Sequence, residues 1–453
     1  MSAPDPVERV FGGGCSVSVF GLGYVGLALT AAYLRKGLKV VGVDKDPSRI
    51  SALTSLSLKF LEREVGEAIN SGLSSGLLRL TTNGLEYSTE TCVNVVTVPV
   101  YVDWLTKEVN YDAILQVADT VGKGLKTGDM VILESSVPPG TTEGMFKSRL
   151  EEASGLTAGR DFYLAYSPER IYVGHALRDI EANYPKIVAG VDASSTECVA
   201  RFYSKIALKG VIRMSSIRAA EFSKLVEGVY RDVNIALANE LAILSELLSV
   251  DYYEVRNAAN SQPYCHLHLP GPGVGGPCIP IYPYLLVGRA LSKGFVPRLI
   301  KLAREINESM PYEVVRRVEL FLRDYGLALD RVSVAVLGVA FRGDTDDARL
   351  SPAREVIALL KARGCKNIIA QDPLVSKDEV LESLQVPLTR DLRVALEGRE
   401  LVVVLTRHSE YDKLTTEDIV RLSGNPNILI FDSVNIIHDN SRYRRIRKLG
   451  GSG

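Results

Sequence analysis

Two Rossmann-like, doubly wound α/β domains joined by a long-helix segment are the architecture this sequence predicts, and three observations carry the prediction. A β-branched run, VSVF (17–20), leads through GLGYVG into a stretch of helical composition (27–35), a glycine, and a second apolar run, KVVGVD (39–44), which together make a βαβ unit. From Ser215 the texture changes to RAAEFSKLVEGVYRDVNIALANELAILSELL, proline-free, with apolar residues at helical spacing, and too long to be a crossover. A second set of short apolar runs then opens at VSVAVLGVAF (332–341).

Taken in order, VNVVTV (93–98), DMVILESS (129–136), FYLAYS (162–167) and KIVAGV (186–191) read as further strands, separated by polar, helix-compatible segments, so a mostly parallel sheet is expected up to about residue 214. Residues 215–320 form the central helical segment, with Arg218 to Leu248 as one long helix. Residues 321–453 supply the second doubly wound domain, with strands at NIIAQD (367–372), LVVVLT (401–406) and NILIFD (427–432) and a helix at PAREVIALLKARG (352–364). The closing GGSG reads as a frayed end. A length of 453 residues is consistent with this, at about 150 residues per domain.

Composition excludes several function classes. With 53 basic and 54 acidic residues the net charge is −1, so no global field draws the chain to nucleic acid, and the short basic run RYRRIRK (442–448) reads as a solvated or interface-capping tail. The six cysteines are scattered without a C-x-x-C pair, which points away from a stapled secreted scaffold and toward a reducing cytoplasm. Cys15 to Leu34 is uncharged and about the ~20 residues a spanning helix needs, but Gly21, Gly23 and Gly26 interrupt it and a second apolar run follows at once, so strand, turn and buried helix are expected instead of a membrane span.

The first chemical signal is GLGYVG (21–26). Gly21 permits the tight turn, Gly23 lets the backbone approach a pyrophosphate, Gly26 lets helix and strand pack closely, and the helix N-terminus offers N–H groups to the anion. Asp44 ends the second strand at about the ~20-residue offset of a carboxylate that binds ribose hydroxyls, which favours NAD over NADP, with Lys45 beside it softening the preference. The second signal is Cys278 in PGPGVGGPCIP (270–280). A cysteine is usually a small buried hydrophobe, but here Gly271, Gly273, Gly275 and Gly276 surround Pro272 in a stiff loop where something larger than a side chain approaches the backbone. A thiol beside a nicotinamide suggests an aldehyde held as a thiohemiacetal and oxidised onward to a thioester. Cys265, His266, His268 and Cys278 invite a zinc reading, which the irregular spacing and the nucleophilic role of Cys278 disfavour; no metal is expected.

GLGYVGL (21–27), ESSVPPGTT (134–142), YSPER (166–170), EFSKLVEGVYRDVNIALANE (221–240), PGPGVGGPCIP (270–280) and LGVAFRGDTDDARLSP (337–352) resemble, in order and spacing, the motifs of the UDP-glucose/GDP-mannose dehydrogenases. YRDVNIALANE, the SPER stretch and PGPGVGG are most similar to the branch acting on UDP-N-acetylhexosamines, particularly UDP-N-acetylmannosamine. The resemblance implies four-electron oxidation of a C6 alcohol to a carboxylate with two NAD and a UDP-sugar site in the third domain; the apolar stripe of the long helix, too extended for one neighbouring domain to bury, leads to the expectation of a homodimer. It implies Cys278 as nucleophile, Lys224 stabilising oxyanion character at C6, Glu169 activating water, and Ser136, in place of threonine, holding that water. Cofactor contacts implied are Gly21, Gly23, Tyr24, Val25, Gly26, Asp44, Arg49, Thr97 and, on the cofactor side, Arg349. Substrate contacts implied are Arg170, Arg231, Asn234, Gly273, Gly275, Gly276, Tyr264, Tyr282 and Arg342, the last standing where a lysine commonly meets the nucleotide.

The chain departs from the family pattern at named positions. Gly228 replaces an asparagine that assists the oxyanion, Tyr282 an aspartate that orients water, Pro277 a histidine, and Tyr264 and Val434 arginines. Losing one preorganised oxyanion donor costs about 10²–10³ in rate. The departures therefore leave three expectations open: a working 6-dehydrogenase, one whose pocket is rebuilt for another UDP-sugar with Tyr264, Tyr282, His266 and His268 as contacts, or a degenerate paralogue that binds nucleotide sugar or NAD without turnover. His175, after SPER, reads as solvated or near the site.

Overall fold

The computed structural model describes residues 5–57, 62–439 and 445–451. The chain divides into two compact units, one of residues 1–227 and 284–295, the other of residues 228–283 and 296–453.

The first unit is organised by an eight-stranded sheet of β1 (Ser16–Phe20), β2 (Val40–Val43), β3 (Leu78–Thr81), β4 (Thr91–Val96), β5 (Met130–Leu133), β6 (Tyr163–Tyr166), β7 (Lys186–Gly190) and β8 (Val211–Arg213). Their spatial order is β8-β7-β6-β5-β4-β1-β2-β3. Every pairing is parallel except β6 with β7, where Ala165 faces Gly190. Helices α1 (Tyr24–Arg35), α2 (Asp112–Gly124) and α3 (Ala193–Ser204) cover the faces. Val17, Val19, Val93 and Val95 pack with Leu29 of α1 and Phe202 of α3, while Phe20, Val96 and Val131 pack with Ile114 and Ala118 of α2. With both faces covered, all five residues of β1 are buried, which is why the strand reads as an unbroken apolar run. The chain winds outward from β1 in both directions, so the order reverses between β1 and β4, the switch point where ligands of such sheets bind.

Helix α4 (Ile217–Leu247) starts in the first unit and ends in the second, within one residue of its expected limits. Helix α5 (Tyr282–Leu291) begins with two residues of the second unit and continues in the first. The second unit carries α6 (Arg298–Asp324) and a six-stranded parallel sheet of β9 (Ser333–Leu337), β10 (Asn367–Gln371), β11 (Leu388–Thr389), β12 (Leu401–Val404), β13 (Leu429–Asp432) and β14 (Ile446–Lys448), with α7 (Pro352–Ala362) after β9. The order β11-β10-β9-β12-β13-β14 repeats the reversal of the first sheet, here between β9 and β12.

Three expectations are corrected. Cys15 and Cys92, both buried, are joined in a disulfide at the starts of adjacent strands β1 and β4, a pairing the spacing did not indicate. The described part of the basic run is not a solvated tail: Ile446–Lys448 is the edge strand β14, Arg445 lies over the Tyr325 ring, and Arg447 pairs with Asp324 at 2.9 Å; positions 442–444 lie outside the described residues. Gly450 is not frayed, since it donates to Glu246 (2.8 Å) and accepts from the Tyr252 N–H (2.9 Å).

The acid that ends the second strand of each sheet holds the turn after the first. Asp372, fully buried after β10, accepts the N–H groups of Val339, Ala340, Leu374 and Val375 at 2.8–2.9 Å. Its Oδ2 also meets His408 Nε2 at 3.1 Å, while Nδ1 of the same ring accepts the Asp344 N–H. Burial pushes the Asp372 carboxyl up, but His408 and the N–H donors outweigh it and hold it below the ordinary carboxylate value. A depressed folded value contributes stability above the unfolded value of about 3.9, lost as the pH falls through the folded one. Asp372→Asn is expected to lower unfolding free energy by about 1–3 kcal/mol at neutral pH, with the gap narrowing as urea titrations are repeated toward pH 3.

Candidate functional site

The cofactor turn follows β1. Gly21 has φ +94°, and a side chain there would press on the Val98 backbone at 3.1 Å. A Cβ on Gly26 would lie 1.9 Å from the Gly21 carbonyl oxygen, so the sequence's third glycine is dictated by helix-on-turn packing. Gly23 heads α1 with no side-chain cap, and a Cβ there would meet nothing within 4 Å. That is the cradle a pyrophosphate needs, so the residues present fit a dinucleotide. Asp44, half-buried at the end of β2, accepts the Leu22 N–H (2.8 Å) and the Asp46 N–H (3.0 Å). Arg49 donates to the Leu22 carbonyl, and the Thr97 hydroxyl donates to the carbonyls of Phe20 and Gly21, so both hold the turn's shape. Val25 packs on the core. Tyr24 reaches away: its hydroxyl donates to Glu62 and accepts the Gly174 N–H (2.8 Å), while Glu62 accepts the Ala176 N–H (2.9 Å). The segment after SPER, with exposed His175, is thereby tied to the cofactor turn.

Glu169 of SPER is 6% exposed and bonded to the buried Lys186. Arg170 donates to the Pro185 carbonyl, stacks over the Tyr184 ring at 4.9 Å and pairs with Glu227. Ser136 is half-buried in the loop after β5, next to Ser135, which donates to the Val98 carbonyl. Lys224, half-buried on α4, exerts its charge on Lys186. Glu221, one turn before Lys224, was not among the expected residues. It is fully buried and accepts the Thr142 N–H (2.8 Å) and hydroxyl (2.7 Å), fastening the VPPGTT loop to α4; burial pushes its carboxyl up to about 7. A motif glutamate among helix residues gives no local sign of such a role.

In the second unit, Cys278 is the exposed one of four free cysteines, and its carbonyl accepts the N–H groups of Ile281 and Tyr282 as the chain turns into α5. Of the glycines before it, Gly273, Gly275 and Gly276 are crowded by protein, whereas a Cβ at Gly271 would meet nothing within 4 Å. A Cβ at Gly273 would meet Pro352 at 3.2 Å, one at Gly275 the Leu350 carbonyl at 2.7 Å, and one at Gly276 the Phe341 ring at 2.7 Å; Gly276 N–H donates to the Arg349 carbonyl. The large group that approaches this backbone is the 341–352 segment. Asn239 fixes the other end, accepting the Gly271 N–H and donating to Asn307, which in turn bonds Asp232 together with Arg304. Arg342 is half-buried on the same segment, whereas Arg349 is exposed and paired with Asp347. Arg231 is exposed on α4, Asn234 donates back to the Tyr230 carbonyl, and Tyr264 is 95% exposed.

Gly228 and Tyr282 are one feature. A Cβ at Gly228 would sit 2.3 Å from Tyr282 Cδ2 and 3.2 Å from Cε2 and Cγ, so the phenol ring fills the volume a side chain at 228 would enter. Tyr282 is 6% exposed. An asparagine at 228 and a tyrosine at 282 exclude each other, which makes the two departures a single steric exchange.

A glycine turn into a helix N-terminus that has no side-chain cap, at the switch point, and an acid closing the second strand define a dinucleotide-dependent dehydrogenase fold. The chain belongs to the UDP-glucose/GDP-mannose dehydrogenase family, matching its NAD binding domain over residues 15–207, its central domain over 218–309 and its UDP binding domain over 335–439. It is an NAD-dependent nucleotide-sugar dehydrogenase. A UDP-N-acetyl-D-mannosamine dehydrogenase of Methanocaldococcus jannaschii is 32% identical over 433 residues, 94% of this chain and 93% of that one. An NDP-N-acetyl-D-galactosaminuronic acid dehydrogenase of Ralstonia solanacearum is 30% identical, over 89% of this chain and 93% of its own length. The structure of the UDP-D-ManNAc dehydrogenase from Pyrococcus horikoshii superposes with a TM-score of 0.87 at 31% identity, over 96% of this chain and 99% of that one.

Overpacking costs about 1–3 kcal/mol, so Gly228→Ala is expected to destabilise by that amount in the parent and by less in a Tyr282→Ala background. Urea unfolding of the four proteins gives the coupling energy, expected in the range of about 0.5–3 kcal/mol for residues in contact.

Proposed function

We propose that the chain oxidises the C6 alcohol of a UDP-N-acetylhexosamine, UDP-N-acetylmannosamine before others, to the uronate through a thiohemiacetal and then a thioester on Cys278. NAD supplies the hydride acceptor for each of the two oxidations. The observation that carries the reading is Cys278 itself, a free and exposed thiol on a loop whose backbone is clamped from both sides by Asn239 and the 341–352 segment. Lys224 stabilises developing charge at C6, Glu169 takes a proton from the hydrolytic water, and Ser136 helps hold it. Arg342 and Arg170, with Arg231, Asn234 and the backbone of Gly273, Gly275 and Gly276, meet the nucleotide sugar, and Asp44 receives the ribose hydroxyls. The mannosamine assignment draws support from the archaeal relatives, and the Ralstonia enzyme keeps a galactosamine-derived substrate as the neighbouring choice. Four free cysteines, Cys278 among them, fit a reducing compartment, so the cytoplasm is part of the proposal, although the Cys15–Cys92 disulfide weighs the other way. A degenerate binding paralogue is the second reading, favoured by the Tyr282 ring standing at Gly228.

A second copy of the chain completes the proposal. Phe222, Val226, Tyr230, Leu237, Leu244 and Leu247 of α4 are each 40–77% exposed. At ~100° per residue they fall within an arc of about 100°, the width of a buried helical stripe. Glu227, Arg231 and Glu240, exposed on the same helix, give both signs of charge, as a self-complementary twofold contact needs.

With NAD and a panel of UDP-sugars, the parent is expected to release two NADH per sugar consumed, and Cys278→Ala to lose the second; binding of NAD and UDP-sugar without NADH from any sugar establishes the paralogue reading instead. Sedimentation at micromolar concentration is expected to give a dimer, and Leu237→Glu with Leu244→Glu a monomer.

A further inference from the structure

Behind the SPER glutamate lies a buried charge cluster that the proposed chemistry leaves unused. Lys186 opens β7 and is 6% exposed. Its ammonium donates to Glu134 Oε2 at 2.8 Å and to Glu169 Oε1. Glu134, 3% exposed directly after β5, accepts on its other oxygen from the Tyr203 hydroxyl, which shares a 3.0 Å hydrogen bond with the Tyr33 hydroxyl. Both tyrosines are fully buried, one on α3 and one on α1. Lys224 on α4 adds its charge from one side. Tyr166, at the end of β6, is also fully buried; its hydroxyl has no hydrogen-bond partner, and Glu134 and Glu221 both act on it. Arg170 is turned away to Pro185 and Glu227.

Within the hydrogen-bonded set Glu134, Glu169 and Lys186, counted without the neighbouring Lys224, two carboxylates and one ammonium leave one excess negative charge. Burial pushes the Glu134 carboxyl up and the Lys186 ammonium down; their mutual attraction draws each back toward its charged form, the Tyr203 bond does the same for Glu134, and the Lys224 charge works against Lys186. A core needs no such cluster for stability, because well-packed apolar residues serve as well or better. The arrangement makes sense if Glu169 exchanges a proton: ionised, it is matched to Lys186, and protonated, it brings the cluster to neutrality.

We propose that Lys186 is a positioning residue for Glu169, its ammonium anchored on Glu134 and the Tyr203–Tyr33 pair so that the Glu169 carboxylate stays ionised and fixed for the hydrolytic step. This rests on the reading that Glu169 activates the water. In that step the water oxygen bonds to the acyl carbon, one water proton passes to Glu169, the carbon–sulfur bond breaks with its electron pair returning to Cys278 Sγ, and the product acid releases its remaining proton to solvent.

The test compares parent, Lys186→Met, Lys186→Arg, Glu134→Gln and Glu169→Gln. Infrared spectra at neutral pH without substrate read the carboxyls directly. Lys186→Met is expected to gain a protonated-carboxyl band that disappears in Lys186→Met with Glu169→Gln and is absent in Lys186→Arg. With NAD and the UDP-sugar accepted in the panel, Lys186→Met is expected to give a full NADH burst and then a steady rate at least tenfold below the parent, with the acid limb of the pH profile moved to higher pH; Lys186→Arg restores both. Glu134→Gln, which leaves Lys186 to Glu169 alone, is expected to move that limb the opposite way, and it carries the test if Lys186→Met does not fold. Unchanged bands and unchanged acid limbs, with Glu169→Gln stalled after its burst, overturn the Lys186 proposal alone. Normal turnover by Glu169→Gln overturns the water-activation reading beneath it.

Discussion

Each of the two sheets is wound around the same hydrogen-bonding constraint: N–H groups that emerge from the first strand need an acceptor, and the acid at the end of the second strand provides it. In the first unit Asp44 takes the Leu22 N–H and remains half-exposed. In the second, Asp372 takes the corresponding N–H groups of Val339 and Ala340, adds two more beyond β10, and is sealed by His408. Identical winding therefore yields two different crevices. One keeps a carboxylate half-exposed, as the proposed ribose contact requires; the other spends its carboxylate on the fold.

The segment of residues 341–352 also shapes the loop that carries Cys278. Phe341, Leu350 and Pro352 lie where side chains at residues 273–276 would be, and the Arg349 carbonyl takes the Gly276 N–H two residues before Cys278. A shift of residues 341–352 would thus reach the backbone before Cys278 through the hydrogen bond from the Gly276 N–H to the Arg349 carbonyl. Gly228 precedes Cys278 and Tyr282 follows it as the first residue of α5, so the exchange that removes an amide side chain also changes how the start of the helix after the thiol is packed.

Much of this was legible in the sequence. The glycine turn and Asp44 follow from spacing, because turn, helix N-terminus and second strand are local in sequence, and the limits of α4 follow from uninterrupted helical periodicity. What was not legible depends on contacts between distant segments. Lys186 heads a strand, where lysine ordinarily marks an exposed edge, and only the sheet order brings it between Glu134 and Glu169. The glycines of 271–276 announced a close approach but not what approaches. The disulfide between Cys15 and Cys92 joins neighbouring strands that are distant along the chain, which cysteine spacing cannot reveal.

The division of the chain has a consequence for anyone wishing to isolate its parts. Residues 284–295 belong to the first unit although the chain on either side of them belongs to the second, so the path crosses between units three times, after Glu227, Pro283 and Phe295. No single cut separates the two units into continuous fragments, and a gene segment encoding the sugar-nucleotide half alone would carry a foreign helix in its middle. Two crossings fall inside helices α4 and α5, whose backbone bonds are hard for a protease to open. The halves were shaped as interleaved pieces, and excision of either would call for circular rearrangement of the chain instead of truncation.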